Sequence, residues 1–295
     1  MKNFFKKYPL MILFIALFIL FVGAFVGYEL WYQGRNDDNQ QQYDALREEA
    51  WITVSSDFCY EDYIGGSITR EPTDLELFAN ECEYSHYYNP YLMSRPDFSK
   101  YIRLNDDIIA YLEVPGTNIS YPVLRHKKIS DYYLLHNIDG SSGHPGCLFV
   151  ETYNSGDFTD AATIIYGHNM HNDTMFGTLD YYNKASFRES HPYFIIYRPS
   201  SISVYEVGIT TSYSNEHILI DNFEQDDNGA WHYKGCKPDD QIMIYNKFKA
   251  YNASNLYINE ESFNEDDKCV VLATCDSDHN QRFTVTGRLI FNYKY

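Results

Sequence analysis

The sequence predicts a mostly β domain, a mixed or antiparallel barrel or sandwich of about eight strands, behind an apolar N-terminal segment. Three observations carry this. From Ile108 onward, short β-type runs alternate with turn signals. One helical stretch, Pro238 to Tyr251, interrupts them. Residues Tyr8 to Tyr28 contain no charged side chain, and Pro9 to Val26 is almost wholly apolar.

At ~1.5 Å rise per residue the first run spans a hydrocarbon core of ~30 Å. Lys2, Lys6 and Lys7 precede it and Glu29, Asp37 and Asp38 come after it, so the positive-inside rule puts the N-terminus in the cytoplasm and the rest outside. A cleaved signal peptide is the competing reading; its apolar region is shorter, ~7–15 residues, and ends in small residues, which Gly23-Ala24 matches poorly. Asp37 to Val54, with Tyr43, Leu46, Ala50 and Trp51 at helical spacing, reads as an amphipathic helix leaving the membrane. Ser55 to Pro96 is acidic, tyrosine-rich and irregular. Ser94 to Asp107 reads as another helix, with Pro96 in its first turn and Phe98 and Ile102 on its apolar stripe. The strands expected next are Ala110–Val114, Ile119–Leu124, Cys147–Val150, Thr163–Tyr166, Tyr193–Tyr197, Ser203–Ser212, Cys269–Thr274 and Phe283–Asn292. This divides the chain into an anchor (1–30), a helical and irregular stalk (31–104) and a β domain (105–295).

A hydrophobic content of 44% supplies a core, and the aromatic share of 17% is dominated by 29 tyrosines. The net charge of −18 excludes a nucleic-acid binder. Six cysteines, at 59, 82, 147, 236, 269 and 275, are too scattered for a disulfide scaffold. Cys269 and Cys275 lie ~20 Å apart along one strand at ~3.3 Å per residue and cannot bridge.

Val270 to Cys275 delivers a cysteine to a strand end, and Arg282 opens the next run after a polar turn. A hairpin would therefore set Arg282 beside the cysteine. Thr163 to Tyr166 ends in Gly167-His168, offering a base or acid at a third strand tip. Cysteine, histidine and arginine are the parts of thiol acyl transfer: nucleophile, proton carrier and oxyanion donor. His279, in the turn, is a weaker base candidate. His171, three residues beyond His168, invites a metal reading that no clustered cysteine or carboxylate completes. Arg288, six residues beyond Arg282, is ~20 Å along the strand from the site and reads as a surface ion-pair residue.

Several consecutive stretches resemble the class B sortases, membrane-anchored cysteine transpeptidases of Gram-positive bacteria. Ile108 to Val123 is similar to that family's entry strands, and Asp131 to Asn137 and Gly146 to Val150 are similar to its next segments. Ile164 to Met170 with Thr174 to Gly177 resembles the class B histidine motif. Leu272-Ala273-Thr274-Cys275 resembles its cysteine motif, with Val271 where threonine is usual and Ala273 where many members have serine. Arg282 matches the arginine opening the last strand. The resemblance implies an eight-stranded sortase-type β-barrel with N-terminal helices and a helix in the connection before the cysteine strand. It implies Cys275 as nucleophile, His168 as acid then base, and Arg282 as oxyanion or substrate-backbone donor. Asn137, Ala273 and Thr274 are then candidates for lining the groove.

The partners implied are secreted proteins carrying a C-terminal sorting signal, with an amine of peptidoglycan precursor or a pilin lysine as acceptor. The chemistry requires no metal or organic cofactor. Alternatives are a peptide-binding or adhesion module without turnover, and a cell-wall cysteine hydrolase or L,D-transpeptidase. In the latter, histidine and cysteine are almost adjacent, whereas here they are 107 positions apart.

Overall fold

The computed structural model describes residues 9–53, 94–259, 267–275 and 280–294. The expected irregular segment beyond Ser55, the two cysteines Cys59 and Cys82, and the candidate base His279 lie outside the described residues. Two compact units are defined, 1–45 and 46–295.

Helix α1, Pro9–Ala50, is continuous. The apolar run passes into the polar one without a break, because no proline or paired breaker separates them. In the polar part, one-turn contacts such as Gln40 Nε2 to Asp44 Oδ1 at 2.9 Å carry the helix on. Its apolar part is long and apolar enough to cross a membrane. The helix stops at Ala50 rather than Val54, because Trp51–Thr53 forms β1, paired with β2, Ser94–Pro96. The next helix is accordingly shorter than expected. Arg95 is extended, as a residue before proline prefers. Asp97, not Pro96, opens α2 (Phe98–Leu104), its carboxylate accepting from the Ser99 N–H at 3.1 Å. In the second unit, the last turn of α1 gives Arg47 to the buried Glu113 at 3.4 Å. Trp51 meets Tyr111 and Tyr197 edge-on, each at 5.4 Å.

The remaining elements run in order: β3 (Ile108–Glu113), β4 (Ser120–Leu124), β5 (Leu148–Val150), β6 (Ala162–Gly167), α3 (Ala185–Ser190), β7 (Tyr193–Arg198) and β8 (Ser201–Ser214). After a small ribbon of β9 (Phe223–Gln225) and β10 (Trp231–Tyr233) come α4 (Asp240–Tyr251), β11 (Tyr257–Ile258), β12 (Cys269–Cys275) and β13 (Gln281–Lys294). All eight expected strands are present, and α4 falls in the connection before the cysteine strand. The ribbon, α3 and two-residue β11 are too short to leave a periodic trace in the sequence.

The sheet order is β11-β8-β13-β12-β6-β5-β4-β3-β7, and β7 also pairs with β8, closing an eight-stranded barrel. β8 allows this because it has 14 residues: Ser201–Glu206 takes β7, while Ile209 and Thr210 take β11. Most pairings are antiparallel, but β12 runs parallel to β6, and β5 to β4. β12 is buried throughout its described side chains, which accounts for its unbroken apolar run.

Gly287 lies beneath the stacked rings of Phe194 and Tyr205, whose centroids are 5.3 Å apart. A Cβ there would come within 2.5 Å of Phe194. Gly287→Ala is therefore expected to destabilise the barrel by about 1–3 kcal/mol, the usual cost of overpacking. Urea unfolding reads this directly, and an unchanged midpoint would contradict the packing described.

Candidate active site

Three neighbouring strands, β6, β12 and β13, terminate at one edge of the barrel. Thr274 faces Gly167 in the parallel pairing, so Cys275 and His168 are the next residues on adjacent strands. On the other side Cys275 is directly opposite Arg282. Strands lie ~4.8 Å apart, so the three Cα positions cluster although 107 residues separate histidine from cysteine. The hairpin supplies the Cys275–Arg282 pairing, while the parallel crossover supplies the histidine.

Gly167 is where β6 passes under the Leu148 and Phe176 side chains; a Cβ would collide with Leu148 and come within 2.9 Å of Phe176. His168 is next, half-buried, and its main-chain carbonyl accepts from Phe176 N–H at 2.9 Å. Its Nε2 lies 2.8 Å from the Leu134 carbonyl. A carbonyl only accepts, so Nε2 carries the proton, and in the neutral ring Nδ1 is left as the acceptor. The His144 ring lies 5.0 Å away, centroid to centroid. Burial pushes the His168 pKa below its ordinary value; the Leu134 bond opposes this, and His144 adds to the lowering.

Arg282 sits over the ring of Tyr166, 5.4 Å from its centroid, a cation–π arrangement that holds a guanidinium without neutralising it. A terminal nitrogen reaches the Asn215 carbonyl at 3.4 Å. Its Nε is buried without a hydrogen-bond partner among the described residues. Arg288, by contrast, forms the ion pair expected of a surface arginine, with Glu206 at 2.9 Å.

Ala273 and Thr274, 0% and 2% exposed, are buried in β12 opposite Tyr166 and Gly167. Asn137 is 2% exposed and turned into its own loop: its Oδ1 accepts from Gly146 N–H at 3.1 Å and its Nδ2 donates to Ser141 Oγ at 3.1 Å. Sequence reasoning missed Leu134, His144 and Tyr166 as neighbours of the site. The Leu134 contribution is a main-chain carbonyl, which no residue type announces. Tyr166 was visible only as one more residue of a β run. Cys147, Cys236 and Cys269 are free thiols. Burial raises the last two above the ordinary thiol value, to about 11 for Cys236 and further for Cys269, which leaves both poor nucleophiles.

No protein-family model matches the chain. It is 28% identical over 191 residues to Sortase B of Listeria monocytogenes, covering 64% of this chain and 72% of that protein. It is also 28% identical over 204 residues to Sortase B of Staphylococcus aureus, covering 66% and 75%. The X-ray structure of Clostridium perfringens sortase B superposes with a TM-score of 0.55 at 25% identity, covering 66% of this chain and all of that one. Barrel and similarity together support a cysteine transpeptidase of the sortase type. The relatives and the superposed structure that carry this similarity are all class B sortases.

The lowered pKa of His168 gives a direct check. Its folded value lies below the unfolded one, so the stability tied to its neutral form is present above pH ~6.5 and is lost as pH falls through the folded value. An NMR titration should find this imidazole protonating below the ordinary histidine value, and His144→Gln should move it upward. Titration at or above the ordinary value would contradict the buried setting.

Proposed function

We propose that this sortase uses Cys275 as nucleophile, His168 as proton carrier and Arg282 as oxyanion donor. On this reading it cleaves a C-terminal sorting signal of secreted proteins and joins them to an amine. The observation that carries the reading is the register: the last residue of β12 has Arg282 directly opposite on one side and the residue after Gly167 on the other. This suits a thiol that needs a proton carrier and a cation within reach of one bound amide.

Nδ1 of His168 takes the proton of the Cys275 thiol; the resulting thiolate attacks the scissile carbonyl carbon, and the electron pair moves to the carbonyl oxygen. The Arg282 guanidinium donates to that oxyanion; its seat on the Tyr166 ring rather than on a carboxylate leaves donors for the task. As the tetrahedral species collapses, the C–N bond breaks and Nδ1–H of His168 gives its proton to the leaving amine. The thioester that remains is attacked by the acceptor amine, whose proton Nδ1 takes, and the thiolate leaves. Throughout, Nε2–H keeps its bond to Leu134, so the ring shuttles a proton without turning. Ala273 and Thr274, buried just ahead of Cys275, fit a role as the floor beneath the peptide.

The acceptor on this reading is a peptidoglycan precursor amine or a pilin lysine. α1 anchors the enzyme in the cell membrane, with Lys2, Lys6 and Lys7 on the cytoplasmic side and the barrel outside.

Cys275→Ala should abolish any thioacyl adduct with a sorting peptide while leaving the barrel folded; mass spectrometry reads the adduct. A peptide still captured by that variant means the nucleophile is another residue. Arg282→Lys should retain little turnover, about a hundredth or less, because a point charge does not reproduce a fork of donors. Near-native turnover would remove the oxyanion role. Incubating the full chain in detergent micelles with a peptide library, and sequencing the cleavage products, identifies the signal; no cleavage of any peptide would favour a module that only binds.

A further inference from the structure

The histidine is oriented by one carbonyl, and that carbonyl belongs to a tightly closed loop. Tyr132–Leu134 form a single 3-10 turn. Three successive carbonyls at its end each have a partner. That of Tyr133 accepts from Cys147 N–H at 2.9 Å, that of Leu134 from His168, and that of Leu135 from Gly143 N–H at 2.8 Å. The chain returns close enough for this only through Gly146, at φ +67°, where a Cβ would come within 2.6 Å of both the Tyr133 and Leu134 oxygens. The Leu134 carbonyl is thus wedged in place by the position of Gly146.

One buried carboxamide fixes that position. Asn137 holds the Gly146 N–H on Oδ1 at 3.1 Å and Ser141 Oγ on Nδ2 at 3.1 Å. Its own N–H donates to the Ser141 carbonyl at 2.9 Å, and its carbonyl accepts from Gly140 N–H at 2.9 Å. Side-chain oxygen, side-chain nitrogen and both main-chain groups are committed within the loop, and 2% exposure leaves almost no surface for a peptide. His136 braces the same turn from outside: its ring lies flat on Tyr132, centroids 3.8 Å apart, and Nδ1–H donates to the Tyr132 carbonyl at 2.7 Å.

We propose that Asn137 is a positioning residue for His168: by seating Gly146 against Leu134 it holds the carbonyl that keeps the proton of His168 on Nε2 and leaves Nδ1 facing the reaction. The residue does not touch substrate. The proposal rests on the acid–base reading of His168, and the two are separable by experiment.

The test combines nitrogen-15 NMR of the His168 ring, which reads the tautomer, with steady-state kinetics on a sorting peptide, both on the full chain in micelles. Wild type should show Nε2–H alone. Asn137→Asp keeps an acceptor for Gly146, and its second oxygen accepts from the Ser141 hydroxyl in place of the Nδ2 bond, so it should retain tautomer and turnover. Asn137→Ala should give mixed tautomers and lower kcat about ten-fold or more at unchanged KM, a part of the ~10²–10⁴ that positioned proton transfer supplies. An unchanged tautomer with a raised KM would overturn the proposal and make Asn137 a substrate contact. Should Asn137→Ala fail to fold, Ser141→Ala removes only the Nδ2 acceptor and should shift tautomer and kcat in the same direction; no shift in either overturns the proposal. A shifted tautomer with unaltered kcat would uphold the positioning and defeat the acid–base role of His168.

Discussion

Without the parallel pairing of β6 with β12, the three strand ends would not share an edge. A hairpin alone can bring Arg282 opposite Cys275, because the connecting turn is short. Nothing local can bring His168 there. The chain must leave β6, build β7, β8 and α4, and return on the same side of the sheet before the histidine and cysteine strands lie edge to edge in register. Closure of the barrel through β8 fixes that return. The 14-residue length of β8 lets it meet β13, β7 and β11 at once.

Around that edge the site depends on groups that carry no catalytic chemistry of their own. Gly167 lets β6 pass under Leu148 and Phe176, and so sets where the next residue emerges. The Leu134 carbonyl fixes which nitrogen of His168 carries the proton. Tyr166 holds the Arg282 guanidinium by its ring face rather than by a carboxylate, which leaves the charge unneutralised. Two of these three contributions come from main chain or from the lack of a side chain.

That division explains what the amino-acid sequence disclosed. The strands were legible because β-branched and aromatic runs stop at glycine, proline and polar turns, and β12 is unmistakable from Val270 to Leu272. The three candidate residues were legible for the same reason: each stands where a run ends. The neighbour relation of β6 and β12 was not legible from periodicity, since a parallel partner leaves no local signature; the resemblance to class B sortases supplied it. α1 runs on beyond the apolar stretch because Asp37 to Gln42 is polar without being helix-breaking. Pro96 misled because proline suits a first helical turn and an edge strand equally well, and the capping carboxylate of Asp97 decides between them. The closed loop around Asn137 has no period at all, and only coordinates reveal that its carboxamide is turned inward.

The pH dependence of Cys275 alkylation in the full chain reads whether these distant strand ends form a single functional unit. Mass spectrometry of the peptide containing Cys275 separates it from the buried thiols. The inflection of the rate–pH curve should move when His168 is changed to Gln, because the two residues follow paired positions on adjacent strands. Superimposable curves for the two proteins would mean that the histidine and the cysteine do not interact, and would contradict the site as assembled from β6 and β12.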